Sequence, residues 1–276
     1  DERYVLASET CAFNTIGAKF ERDIEPGELI IIDKEGLTSH KIIEGETKLD
    51  IFEFVYFTRP DSKLLNKTVS KVREEFGIQL AKEFKFDADI VVPVPDSAIP
   101  AAVGYSKQSG IPFEMALIKN RYINRTFIQP TQELRERDVM LKLNPIIYLL
   151  EGKRIVLVDD SIVRGTTMKK VAAMLRKVGV KEINLVISCP PVKFPDFYGI
   201  NTPDQKDLIG SYMSVEEIRD HIGVDSLGFL SFDGMIEATH IPRDMFCTAT
   251  FNGDYPASIG QLVDTINYDG KSQSAL

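Results

Sequence analysis

One thirteen-residue stretch constrains this chain more than any other: Ile155-Val-Leu-Val-Asp-Asp-Ser-Ile-Val-Arg-Gly-Thr-Thr167. Its four apolar residues read as a buried strand, which delivers Asp159 and Asp160 to the edge of a sheet. Ser161 to Thr167 then form a tight loop that opens a helix. Such a loop can cup a phosphate. The first N–H groups of a helix lack intrahelical partners, Gly165 permits close approach, and the hydroxyls add donors. The adjacent carboxylates cannot hold the same anion, because like charges repel, but they suit a vicinal diol or a metal-bound sugar. A phosphate beside a diol describes a ribose 5-phosphate. A polar turn after a strand would share the Asp-Asp pair, and so would the acidic Walker B strand of a nucleoside triphosphatase. The second needs a GxxxxGK[ST] loop, and the chain has neither that nor a GxGxxG.

The surroundings fit an α/β frame. Val69, Val72, Phe76 and Leu80 recur at helical spacing, and Asp89 to Val94 read as a buried strand. A helix from Ala98 to about Gln108, a strand near Met115 to Ile118 and the strand Arg154 to Val158 follow. Met168 to Val178 read as a helix closed by Gly179, and Glu182 to Ile187 as the next strand. Alternation at these lengths predicts a doubly wound parallel sheet, with its ligand beyond the C-terminal strand ends where the strand order reverses. Before this frame, Tyr4 to Ala7 and Glu28 to Asp33 read as strands. Leu37 to Ile43 complete a hairpin with the second, and Phe52 to Phe57 read as one more strand.

With 276 residues the chain can bury a substantial core. Its 43% hydrophobic and 27% charged residues are those of an ordinary globular protein. A net charge of -8 argues against nucleic-acid binding, which needs a basic surface, but not against a small anion held by backbone N–H groups. No apolar run is long enough for a membrane span. Cys11, Cys189 and Cys247 lie far apart and form no CxxC pair, which points to a reducing cytoplasm.

The Asp159–Thr167 segment resembles the phosphoribosyl pyrophosphate (PRPP) motif of type I phosphoribosyltransferases, a parallel sheet with a small hood. Its longer spelling is similar to the amidophosphoribosyltransferases of purine synthesis. Phe54-Val-Tyr-Phe-Thr-Arg-Pro-Asp-Ser62, Val92-Pro-Val-Pro-Asp-Ser97, Lys119-Asn-Arg-Tyr-Ile-Asn-Arg-Thr-Phe-Ile128 and Phe197-Tyr-Gly-Ile200 match further blocks of that family, in order. The resemblance implies transfer of an amine to C1 of PRPP, with loss of pyrophosphate, to give 5-phosphoribosylamine. Asp159 and Asp160 would hold the ribose 2- and 3-hydroxyls. Ser161, Ile162, Val163, Arg164, Gly165, Thr166 and Thr167 would hold the 5-phosphate, and Pro95, Asp96 and Ser97 the pyrophosphate. Ser97, Asp159 and Asp160 would line a Mg²⁺ site, Arg125 would join the two aspartates in catalysis, and Lys119, Arg121 and Tyr122 would serve a lid and a feedback nucleotide. The polar stretch Lys119 to Lys142 suits such a lid, with a surface helix around Gln132 to Leu143 as the plainer alternative.

The resemblance divides the chain into residues 1–45, the tail of a glutaminase domain with its junction; 46–235, the transferase; and 236–276, a C-terminal extension. The first part is expected as a short antiparallel β remnant. The family's glutaminase starts with a catalytic Cys, and this chain starts with Asp1. The chain as given is therefore expected not to hydrolyse glutamine, its glutaminase being missing or a separate chain. Some family members bind a [4Fe–4S] cluster through four Cys. Cys11 and Cys247 stand at two of those positions, Asp196 and Thr250 at the others, so no cluster is expected. The resemblance also implies purine nucleotide feedback inhibitors and a homo-oligomer. A salvage transferase would need a base-binding hood, where the chain instead matches amidotransferase blocks. A PRPP-sensing regulator would need a basic helix-turn-helix.

Overall fold

The computed structural model describes residues 3–120, 143–198, 204–260 and Ile266. The N-terminal segment carries a short helix, α1 (Cys11–Ile16), and a hairpin of β1 (Glu28–Asp33) and β2 (Gly36–Lys41), antiparallel with Asp33 opposite Gly36. The hairpin was legible, but two local readings were not. Tyr4 to Ala7 form no strand, and Cys11 opens a helix rather than lying in β structure.

The strand β3 (Leu49–Asp50) precedes a second correction. Glu53–Phe57 is a π-helical turn and not a strand. The apolar alternation of Phe52, Phe54 and Tyr56 reads as period two. Burial shows a helical turn instead: Phe54 and Val55 point inward, while Tyr56 and Phe57 are exposed. Short apolar runs carry this ambiguity, and tertiary contacts settle it.

Helix α2 (Val69–Glu83) forms where its apolar stripe demanded, with Val69, Val72, Phe76 and Leu80 buried. Strand β4 (Ile90–Pro93) follows, then α3 (Ile99–Ser109), which stops at Gly110 in the left-handed region with φ 77°. Strand β5 (Leu117–Lys119) does not join the main sheet but pairs antiparallel with β6 (Leu143–Pro145). The core then continues through β7 (Arg154–Asp159), α4 (Thr166–Lys177), β8 (Glu182–Ile187), α5 (Val215–Ile222), β9 (Ser226–Phe229) and α6 (Phe232–Thr239). Finally β10 (Phe246–Cys247) lies parallel to β3, with Cys247 opposite Asp50.

The main sheet has the order β9-β8-β7-β4, all parallel. On the far side of β4, Phe113 makes a parallel bridge to Val91, tied by Val91 N–H to Pro112 O and by Glu114 N–H to Val91 O. The chain thus steps outward from β4 to one side, then returns to place β7 on the other. That reversal makes the sheet doubly wound. Right-handed crossovers then put α3 on one face, where α2 packs against it, and α4 and α5 on the other. The switch point lies between β4 and β7, so Pro95–Ser97 and Asp159–Thr167 leave the sheet side by side. Among the described residues, no helix is long and apolar enough to cross a membrane.

Candidate active site

A cleft of about 1290 Å³ opens at this switch point. Its lining includes Pro95, Asp96, Ser97, Lys119 and the whole run Asp159 to Thr167. Adjacent parallel strands β4 and β7 end together, so their two following loops share one mouth. The structure therefore gathers the residues that the two motifs singled out. Arg121, Tyr122 and Arg125, together with the segment up to Lys142, lie outside the described residues.

The loop Ser161–Thr167 is set by α4. Gly165 stands at the helix N-cap with φ 73°, a left-handed conformation costly for residues with a side chain. An added Cβ would lie 3.1 Å from the Ile209 side chain. The loop is backed by Ile209 N–H, which donates to Val163 O at 2.8 Å. Thr166 and Thr167 are exposed at the mouth, where the first N–H groups of α4 face outward. Ile162 is buried, and Arg164 turns away to Asp207 at 3.2 Å.

The two aspartates differ. Asp159 is half-buried, and one of its oxygens accepts from the Asp160 N–H at 2.9 Å. Asp160 is buried: its Oδ1 accepts from the Ser161 hydroxyl at 2.6 Å, and its Oδ2 from the Ser97 hydroxyl. Burial raises both carboxyl pKa values, and Asp160 adds to the rise at Asp159. The Ser161 and Ser97 hydroxyls, with Arg73, act the other way on Asp160. The strand end is thus not fully solvent-facing, as its sequence position alone would imply. The Ser97–Asp160 contact crosses from one loop to the other and joins the Pro95–Ser97 turn to the acid pair.

Oxygen donors from Ser97, Asp159 and Asp160 are hard ligands that suit Mg²⁺, a cation commonly held by one or two carboxylates plus substrate phosphates. No group of three or more His, Cys, Asp or Glu among the described residues could hold a metal unaided. Lys119 reaches Asp96 of the same turn at 2.9 Å, both side chains about half exposed.

One wall comes from the Phe54–Ser62 block and from α2, neither of which holds a predicted site residue. Tyr56, Phe57, Thr58, Arg59 and Pro60 line the cleft, and so does Arg73 from α2. Arg73 is buried, and its guanidinium donates to Phe54 O at 2.7 Å and Thr58 O at 2.8 Å. Burial pulls its pKa down, while Asp160, Glu53 and Glu9 oppose that shift. One signal was available. Arg73 follows Val72 within the stripe Val69–Val72–Phe76–Leu80, and a cation in an apolar stripe needs buried acceptors.

A second buried polar group lies away from the cleft. The Asp50 carboxyl lies close enough to Asp196 and Cys247 to feel their charge. Asp196 Oδ1 also accepts from the Tyr198 N–H at 2.9 Å. Thr250 Oγ1 is buried without a hydrogen-bond partner among the described residues. Cys11 sits at Ser62, whose hydroxyl accepts its N–H at 3.3 Å. Two thiols, a carboxyl and a hydroxyl are not the thiolate set of an iron–sulfur cluster; these residues do not fit that cofactor. His40, His221 and His240 show no metal arrangement among the described residues.

The family described as "Phosphoribosyl transferase domain" matches residues 65–199. The amidophosphoribosyltransferase of Synechocystis sp. is 51% identical over 95% of this chain and 53% of that protein. That of Bacillus subtilis is 47% identical over 96% of this chain and 56% of that protein. Among solved structures, the glutamine PRPP amidotransferase from B. subtilis complexed with ADP and GMP superposes with a TM-score of 0.86 at 47% identity, covering 92% of this chain and 57% of that one. A structure described as the allosteric regulatory enzyme of purine biosynthesis also gives 0.86, at 46% identity, covering 94% and 56%. The chain therefore spans little more than half the length of the relatives it matches, with the type I phosphoribosyltransferase fold. With about half of its residues identical over nearly its whole length, this chain belongs to the amidophosphoribosyltransferase family and corresponds to the part of those longer proteins that carries the phosphoribosyltransferase domain.

Proposed function

We propose that this chain transfers an amine from ammonia to C1 of PRPP, releasing pyrophosphate and forming 5-phosphoribosylamine, the first committed step of purine synthesis. The carrying observation is the Asp159–Asp160 pair held beside the Ser161–Thr167 loop at the mouth between β4 and β7. In this reading the ribose hydroxyls donate to the two carboxylates, the loop N–H groups and Thr166 and Thr167 hydroxyls bind the 5-phosphate, and Pro95–Ser97 receives the pyrophosphate. Ser97, Asp159 and Asp160 would hold Mg²⁺, which when bound supplies positive charge to the departing oxygens. As the C1–O bond breaks, positive charge grows on the sugar ring, and the nearby carboxylates favour it. Ammonia is already nucleophilic, so attack from the opposite face gives the β-amine by inversion, with no covalent enzyme intermediate.

Further roles rest on the family resemblance. Lys119, Arg121 and Tyr122 are proposed to serve a purine nucleotide regulator, a reading supported by the B. subtilis relative's complex with ADP and GMP. A nucleotide phosphate at Lys119 would compete with its ion pair to Asp96. Arg125 is proposed as a catalytic partner of the aspartates. Residues 1–45 are proposed as the border with a glutaminase domain that supplies the ammonia, in a cytoplasmic homo-oligomer; three free, buried cysteines suit that compartment.

Purified chain supplied with PRPP, Mg²⁺ and ammonium at alkaline pH should release pyrophosphate. Asp159→Asn and Asp160→Asn each remove a charged acceptor worth roughly 1.5–3 kcal/mol, or about ten- to a hundredfold in kcat/KM. Wild-type kinetics in both variants would reduce the pair to a polar turn and overturn the assignment.

A further inference from the structure

Among the described residues the cleft wall Tyr56–Pro60 pairs with no strand; the Ser70 N–H holds Pro60 O at 2.9 Å, and two side chains from elsewhere add to the hold. From below, Arg73 binds the Phe54 and Thr58 carbonyls. From the N-terminal segment, Glu9 Oε2 accepts from the Arg59 N–H and from the Ser62 hydroxyl, each at 2.9 Å. The neighbours of Glu9 continue the grip. Thr10 Oγ1 accepts from the Lys63 N–H at 2.8 Å, and the Cys11 N–H donates to Ser62 Oγ at 3.3 Å. Three consecutive residues thus hold the segment 59–63 from some fifty positions away.

The grip is electrostatically joined to the site. Glu9 acts on the Arg73 guanidinium, and so does Asp160, so the buried cation feels both the tether and the acid pair. Ser62 and Thr58 are buried at the point of contact, whereas Tyr4, Val5, Leu6 and Ile16 on either side of the grip are exposed. An exposed segment anchored at a buried point acts on whatever that point holds.

We propose that Glu9 is a positioning residue for the cleft: it ties the N-terminal segment to the wall Tyr56–Pro60, so that affinity for the phosphorylated sugar depends on where that segment sits. The identity of the sugar rests on the functional reading above; the tether does not. Glu9 touches no reacting group and works through the Arg59 amide and Ser62.

Hydrogen exchange and steady-state kinetics on the whole chain test this. Glu9→Ala removes a charged acceptor that the Arg59 N–H and the Ser62 hydroxyl share, so exchange across residues 56–62 should quicken about tenfold, while residues 154–159 keep wild-type protection. In the same variant the KM for PRPP should rise about tenfold with kcat changed by less than about twofold. Glu9→Gln retains an acceptor oxygen and should restore most of both properties. Ser62→Ala removes the shared hydroxyl and should loosen the same peptide, which keeps the question open to test if Glu9→Ala does not fold. Unchanged exchange in residues 56–62, in Glu9→Ala or in the substitute Ser62→Ala, overturns the proposal. So does faster exchange with an unchanged KM. Absence of PRPP turnover in the wild type would instead remove the functional reading, leaving the exchange comparison to decide the tether.

Discussion

Asp50 shows what burial does to a single carboxyl. Its pKa is pushed up to about 7, first by burial and further by the charge and hydrogen bond of Asp196 and the charge of Glu53, while the Phe52 N–H acts the other way. Between the ordinary carboxylate pKa near 4 and about 7, the folded chain keeps a proton that the unfolded chain has lost. The folded state therefore binds more protons across that window, and stability falls as pH rises through it, by up to about 1.4 kcal/mol per pH unit. Below about pH 4 both states hold the proton and this loss vanishes. Asp50→Asn keeps a neutral hydrogen-bonding group and removes the linkage. Its stability relative to wild type should rise from pH 5 to pH 8 by on the order of 1–3 kcal/mol in urea melts. Parallel pH dependences in the two proteins would show that Asp50 titrates normally. Nothing local in Leu49-Asp50-Ile51 announces this pair, because Asp196 reaches it only through the packing of β3 against β10 and the segments that follow.

Among the elements, α2 and α3 are the most demanding. They approach so closely that a Cβ on Gly77 would lie 1.7 Å from Ala101 O, and one on Gly104 would lie 1.9 Å from Glu74 O. Both contacts are with helix backbone, which cannot rotate aside as a side chain can. Alanine would ordinarily favour a helix over glycine by about 1 kcal/mol. Here the overlap wins, and Gly77→Ala should cost about 3 kcal/mol or more. Urea unfolding reads this directly, and a variant as stable as wild type would mean that the helices can move apart freely. Helix α2 itself was legible from its stripe, since four apolar residues at helical spacing can face a core in only one way. The turn Glu53–Phe57 was not, because its shape is set by Arg73 on α2 and by Ile51 O, which accepts from the Phe54 N–H at 3.0 Å.

At the scale of the whole molecule, residues 232–247 close on the segments that open the α/β frame. Helix α6 runs across residue 235 and packs on α2, while β10 pairs with β3. The buried polar group between β3, β10 and Asp196 therefore belongs to the junction of the two ends. Its composition carries a prediction about cofactor content. Asp196 accepts from the Tyr198 N–H and stands near the Asp50 carboxyl, and Thr250 supplies a hydroxyl where a cluster would require a thiolate. Protein isolated under anaerobic conditions should be colourless and carry no stoichiometric iron. A brown preparation with about four irons per chain, the stoichiometry of a [4Fe–4S] cluster, would contradict it.

By itself the sequence determined the units whose physics is local. The run Ile155–Thr167 becomes a strand, a cup and a helix because burial, a left-handed Gly165 and free helix N–H groups all act within a few residues of one another. The hairpin β1–β2 and the amphipathic helices are legible for the same reason. Only the tertiary structure decided which loops meet. Phe113 lies on one side of β4 and β7 on the other, and that placement brings Ser97 onto Asp160. It also decided the environment of each charge: Arg73 beneath the wall, Glu9 across it, and Asp50 against Asp196. The sign and strength of such interactions depend on distance and on how much water has been excluded. Neither exists until segments far apart in the chain have packed together.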